Sequence, residues 1–152
     1  MGCGNILLGD DGFGPAVVDY LNRHFNLPSY MAAWDVGTSV REVIFNLLLS
    51  QKRPKHIVLV DALDAGRPGG EVFIASANQI SPQKIHDFSL HMMPTLNMLE
   101  EFTELSDCLV EIVAAQPAVL PEEVNEGLSP PMQSATREAA WYIFNKYGKE
   151  KV

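Results

Sequence analysis

The run Ile57–Val60 follows Pro54, is aliphatic at every position and closes on Asp61. A strand with no polar alternation has no solvent face, so it belongs inside a sheet covered on both sides, the usual setting of parallel strands flanked by helices. The flanking segments fit that frame. Gly14–Phe25 puts Pro15 at a first-turn position and repeats Val17, Val18, Leu21 and Phe25 at helical spacing. Met31–Val36 reads as a short strand running into Asp35-Val36-Gly37-Thr38, and Val40–Leu49 as a helix packed on the sheet. Glu71–Ser76, after the turn-rich Arg67-Pro68-Gly69-Gly70, suits an edge strand. Pro94–Phe102 reads as a helix, Leu109–Ala114 as an inner strand and Ser134–Tyr147 as the C-terminal helix.

This alternation predicts an α/β fold: one domain over residues 1–152, with a twisted, mostly parallel sheet of about five strands and helices on both faces. Ligands of such sheets sit beyond the carboxyl ends of the strands. The loop after the first strand, Asp61 and a later loop are therefore expected to meet at one edge.

Composition narrows the partners. Nineteen acidic residues against eleven basic ones give a charge of −8, which repels phosphate backbones and anionic lipid, so neither nucleic acid nor a membrane is an expected partner. No apolar run approaches the roughly 20 residues of a membrane span, and no signal-peptide pattern opens the chain. Cys3 and Cys108 are too few and too far apart for a disulfide framework, so a reducing cytoplasm is the expected location.

Residues Gly2–Gly14 read GCGNILLGDDGFG. A dinucleotide fingerprint needs a third glycine where Leu7 stands, and no phosphate-loop Gly-Lys-Ser/Thr follows. The loop instead carries Asp10 and Asp11 between Gly9 and Gly12, just ahead of a helix. Capping that helix is the simplest role for either acid. Two adjacent acids in a glycine-rich loop also suit a site.

Taken together, five segments resemble the nickel-iron hydrogenase maturation endopeptidases. Gly2–Gly14 matches the family's G-x-G-N-x-L-x-x-D-[DE]-G-x-G opening, Asp35–Thr38 its D-x-G-T step, and Val58–Ala62 its apolar strand closing in aspartate. Phe88-Ser89-Leu90-His91 is similar to its S-x-H segment, and Gly127–Pro130 to the G-L-S-P before its last helix. The segment after His91, PTLNMLEEF, looks most like the branch that processes deazaflavin-reducing hydrogenases of methanogens. Relatives carry several apolar residues ahead of the glycine loop, whereas Met1 alone precedes Gly2, so the first strand is expected to be truncated.

The resemblance implies an endopeptidase that removes the C-terminal extension of a hydrogenase large-subunit precursor after nickel insertion. It places the nickel-contacting and catalytic trio on Asp11, Asp61 and His91, with the nickel presented by the substrate rather than permanently bound. Many members have glutamate where Asp11 stands, so this acid is one methylene shorter. Mixed oxygen and nitrogen donors in a three-ligand set bind a divalent ion while leaving positions open. Such an ion either marks a mature precursor or activates water and the scissile carbonyl, and the residues allow both. An aspartic-type pair, Asp11 and Asp61 sharing a proton, requires the two carboxyls to lie close together. Nucleophilic catalysis has little support: Ser39 and Ser89 lack a nucleophile elbow and Cys3 lacks an evident base. A non-catalytic nickel or precursor-binding chaperone on the same fold is the alternative.

The remaining polar and aromatic residues have simpler readings. His24, His56 and His86 are expected on the surface, Asp35 and Asp64 in turns, and Trp34 and Trp141 in the core or at its rim. Gly37 and Thr38 suit a groove for the substrate tail, and Glu122, Glu123 and Glu126 a solvated loop.

Overall fold

In the computed structural model, residues 1–76, 103–104, 106–119 and 123–149 are described. The expected Pro94–Phe102 helix, together with His86, Ser89, His91, Met92 and Met93, lies outside them. The described strands are β1 (Gly2–Cys3), β2 (Asp35–Gly37), β3 (His56–Ala62), β4 (Val72–Ser76) and β5 (Leu109–Ala115). They form one sheet in the order β2-β1-β3-β5-β4. All neighbours are parallel except β4, which runs antiparallel to β5 at the edge. Three longer helices are described: α1 (Phe13–His24), α2 (Val40–Leu49) and α3 (Pro130–Tyr147).

Strand β3 carries the architecture. It pairs with β5 from His56 opposite Leu109 to Ala62 opposite Ala115. Because successive side chains point to opposite faces, Ile57 and Leu59 enter the core under α2 with Cys3, Val40, Ile44, Ile112 and Ala114. Val60 and Ala62 enter the core under α1 and α3 with Phe13, Val17, Leu21, Met132, Ala135 and Ile143. Full burial of such aliphatic side chains stabilises by about 1.5–3 kcal/mol each, which is why the run tolerates no polar residue before Asp61.

Strand β1, two residues long, lies inside the sheet between β2 and β3. The Met1 amine donates to the Val58 carbonyl at 2.7 Å, and the Met1 carbonyl accepts from the Val60 amide at 2.9 Å. On the other side, the Gly2 amide donates to Trp34 at 2.8 Å and the Gly4 amide to Gly37 at 3.0 Å. Helix α1 crosses this strand at backbone contact. A Cβ on Gly14 would lie within 3.0 Å of the Cys3 and Val60 carbonyl oxygens, and one on Gly2 would meet the Gly14 carbonyl. The glycines that open and close the loop thus remove the side chains that would hold helix and sheet apart.

Two boundaries differ by several residues from the sequence reading. Strand β2 spans Asp35–Gly37 rather than Met31–Val36, because its pairing with β1 begins with Gly2 opposite Asp35. Helix α3 begins at Pro130 rather than Ser134, with prolines in its first turn, where the missing N–H costs nothing. Trp34 and Trp141 lie at the rim, both about half exposed. Trp141 packs edge-on against Phe25 at 5.0 Å. Among the described residues no helix is long and apolar enough to cross a membrane.

Candidate functional site

From β1 the chain passes through α1 to β2 on one side, then through α2 to β3 on the other side of β1. Connections that part in this way leave a crevice at the carboxyl ends of the two strands, the place where open α/β sheets bind ligands. Asp11 reaches it from the loop after β1, and Asp61 from near the end of β3.

The loop is built around its glycines and Asn5. The Asn5 carbonyl accepts from the Leu8 amide at 3.0 Å, and a 3-10 turn over Gly9–Gly12 follows. The Asn5 amide donates to Oδ2 of Asp11 at 2.7 Å, which folds the loop over its own acid. Gly4, at φ 124°, lies against the Asp11 carbonyl so closely that a Cβ would overlap it. Oδ1 of Asp61 accepts from the Ala62 amide at 2.8 Å.

Both carboxyls are buried: Asp11 is 6% exposed and Asp61 is 2% exposed. Burial raises the Asp61 pKa well above the ordinary carboxylate value, and the nearby charge of Asp11 raises it further, against the Ala62 hydrogen bond. Burial raises Asp11 as well, opposed by the Asn5 amide. Among the described residues neither acid has a Lys, Arg or His ion-pair partner. Two of the three expected site residues, Asp11 and Asp61, are thus close enough to couple electrostatically, as a pair with no cationic partner among the described residues. Such a pair takes up a proton or a cation. Its two oxygen-donor groups suit a divalent ion, although no cluster of three potential ligands occurs among the described residues.

Asp10, the neighbouring acid, does other work. It is 1% exposed, and neither it nor Asp11 caps α1, whose N-cap Gly12 has no side-chain hydrogen bond. Its Oδ2 accepts from the Ala118 and Val119 amides and the Ser129 hydroxyl, each at 2.9 Å, and its Oδ1 from the Ser129 amide at 2.7 Å. One carboxylate therefore ties the glycine loop to the segment after β5 and to the start of α3. Asp10→Ala is expected to cost about 2–4 kcal/mol, the scale of losing several charge-assisted bonds from partly solvated donors. The shift of the urea midpoint at unchanged m-value measures it.

A second hub escaped the sequence reading. Gln116, buried at the end of β5, accepts at Oε1 from the Ala65 amide at 2.8 Å and the Arg67 amide at 3.1 Å. Its Nε2 donates to Asp64 Oδ1 at 3.0 Å and to the Pro117 carbonyl at 3.3 Å. These bonds fix the loop that follows Asp61. No local pattern announces such a residue, since its partners lie some fifty positions away (|i−j| of 49 to 52) apart from Pro117.

Asp35, Asp64, His24 and His56 fall as expected. Asp35 accepts from the Gly37 amide at 2.9 Å, and Asp64 from the Gly66 amide at 3.2 Å, as turn residues do. His24 is exposed beside Tyr20 at the far end of α1, and His56 opens β3 exposed beside Tyr147. Ser39 is exposed where α2 begins. The Cys3 thiol is buried, and burial followed by the charge of Asp61 pushes its pKa up, so it is not poised as a nucleophile. A hollow of about 290 Å³ runs along the outer side of the glycine loop, between Ile6, Pro15, Ala16, Asp35 and Leu128.

This α/β architecture is shared with solved endopeptidases. The chain superposes on the hydrogenase maturating endopeptidase HybD from Escherichia coli with a TM-score of 0.76 at 22% identity, covering 95% of this chain and 88% of that one. The [NiFe] hydrogenase maturation protease HycI from Thermococcus kodakarensis gives 0.75 at 22% identity, covering 95% and 87%. In sequence, the chain is 29% identical over 155 residues to the coenzyme F420 hydrogenase subunit delta of Methanothermobacter thermautotrophicus, covering 99% of this chain and 94% of that relative. The hydrogenase maturation protease profile matches residues 15–146, and the chain belongs to that family. It is a peptide hydrolase.

Proposed function

We propose that the protein removes the C-terminal extension of a nickel-iron hydrogenase large-subunit precursor once nickel has been inserted, with Asp11 and Asp61 facing the metal centre of the substrate. The observation that carries this reading is the pair of buried, electrostatically coupled acids at the switch point of the sheet. Two buried carboxyls with no cationic partner among the described residues are poised to recognise a cation delivered by a partner. His91, outside the described residues, supplies the nitrogen donor of the trio in this reading. The similarity to a coenzyme F420 hydrogenase subunit supports a deazaflavin-reducing hydrogenase as the substrate. Maturation takes place in the cytoplasm, where Cys3 and Cys108 stay reduced; both are free and buried.

The test is incubation with nickel-loaded precursor and mass spectrometry of the large subunit. Loss of the C-terminal peptide is expected. An intact precursor bound to the protein would instead assign a chaperone. His91→Ala is expected to abolish cleavage while leaving the melting temperature within a few degrees, and cleavage retained in that variant would remove His91 from the site.

The Coulombic coupling of Asp61 to Asp11 favours one second reading, an aspartic-type mechanism. In it the pair shares a proton and acts as general acid and base on the peptide and a water molecule. Nickel-free precursor separates the two: the aspartic-type reading expects cleavage without metal, and the nickel-recognition reading expects none.

A further inference from the structure

We propose that Asp10 is a positioning residue for the peptidase reaction, setting the direction of Asp11 through its anchors on Ala118, Val119 and Ser129. The proposal rests on the reading of Asp11 and Asp61 as the reactive pair. Asp11 sits in a short 3-10 turn with glycine at both ends, and glycine backbone has no intrinsic preference strong enough to fix one orientation. The Asn5 amide holds the Asp11 carboxylate from within the loop, but the turn as a whole is tied to the rest of the fold from outside. The side chain before Asp11 is held by four hydrogen bonds from two segments more than a hundred residues away (|i−j| of 108 to 119). The bonds to Ala118 and Val119 come from the exit of β5, the strand whose Ala114 lies opposite Asp61. Asp10 therefore refers the loop of one acid to the strand neighbouring the other. Both of its oxygens are engaged, so rotation of the turn would break several bonds together.

A reacting group displaced by about 1 Å loses on the order of 10²-fold in rate. Asp10→Asn keeps the shape of the side chain but presents an amide N–H to a donor, the Ser129 amide or the cluster at Oδ2. It is expected to lower kcat for processing of nickel-loaded precursor roughly 10²-fold with KM changed less than about 3-fold. Ser129→Ala removes only the hydroxyl bond to Oδ2 and is expected to lower kcat by an intermediate factor, roughly 3- to 10-fold. It also keeps the question answerable should Asp10→Asn fail to fold. Ile143→Ala, a cavity at the other end of α3, destabilises the fold without touching the loop and is expected to leave kcat unchanged. Each variant is assayed where circular dichroism shows it fully folded. Wild-type kcat in both Asp10→Asn and Ser129→Ala, or an equal loss in Ile143→Ala, would overturn the positioning role. Failure of the wild-type protein to cut the precursor would instead overturn the peptidase reading on which it rests.

Discussion

Asp61→Asn is expected to abolish precursor processing and at the same time to make the protein more stable at neutral pH. In the proposed site Asp61 either transfers a proton, and loss of such a group lowers rate by about 10²- to 10⁴-fold, or contacts a cation, which a neutral amide holds more weakly. The gain in stability follows from burial. The folded-state pKa of Asp61 lies well above its unfolded value of 3.8, so the folded state binds the extra proton. Wild-type stability is therefore greatest below the unfolded pKa, falls as pH rises through the folded pKa, and stays reduced above it. Asparagine is neutral throughout and keeps an oxygen for the Ala62 amide. The melting temperature of Asp61→Asn should thus approach that of the wild type in acid and exceed it at neutral pH, each kcal/mol being worth about 2–4 °C for a chain of this size. Asp11→Asn should shift in the same direction, since burial raises that acid too. Melting curves across the acid range are the measurement. A variant less stable than the wild type at pH 7, or an offset independent of pH, would show that the pair is compensated in solution. Rigid retention of a costly charge where the chemistry occurs is the familiar exchange of stability for activity.

The second large effect is expected at Gly14. An alanine methyl there would sit within 3.0 Å of the Cys3 carbonyl oxygen, the Val60 carbonyl oxygen and the Cys3 amide nitrogen. All three are backbone atoms of the two central strands, so no side-chain rotation relieves the overlap. Helix α1 would have to lift away from the sheet, opening the packing of Phe13, Val17 and Leu21 on Val60. The cost is expected at or above the upper end of overpacking, about 3 kcal/mol or more, against a total stability of about 5–15 kcal/mol. A fall in melting temperature of roughly 10 °C, or failure to accumulate folded protein, is the outcome to look for. Gly66→Ala is the control. Gly66 has φ 68° but nothing within 4 Å of the added atom, so only the left-handed backbone is penalised, by about 1 kcal/mol. Equal losses at the two positions would refute the steric account.

The sequence was most informative where one local requirement dominated. The Val40–Leu49 helix stands where its apolar spacing put it, and α1 begins one residue earlier than its proline suggested. Burial of Ile57–Val60 on both faces follows directly from the lack of any polar alternation. The approach of Asp11 to Asp61 was legible from topology, because Asp11 lies in the loop beyond the carboxyl end of β1 and Asp61 near the carboxyl end of the neighbouring β3. Asp10 was not legible. Beside a helix start it resembles a cap, and only the folded chain brings Ala118, Val119 and Ser129 to it. Gln116 was hidden for the same reason. The glycine loop misled in one respect: the close approach of helix to sheet sought at Leu7 is made by Gly2 and Gly14. Pro130 was overlooked as a helix start although first-turn proline is a known signal.

The bond from Asp10 to Ser129 also orders events in time. During synthesis Asp10 leaves the ribosome well before this anchor, which follows more than a hundred positions later (|i−j| = 119). Until those later segments fold against it, the loop bearing Asp11 keeps only its internal bonds, such as that from the Asn5 amide, and lacks the anchors on Ala118, Val119 and Ser129. A nascent chain that has not yet reached Ser129 is therefore expected to be a latent protease, slow toward a neighbouring precursor until that anchor is in place.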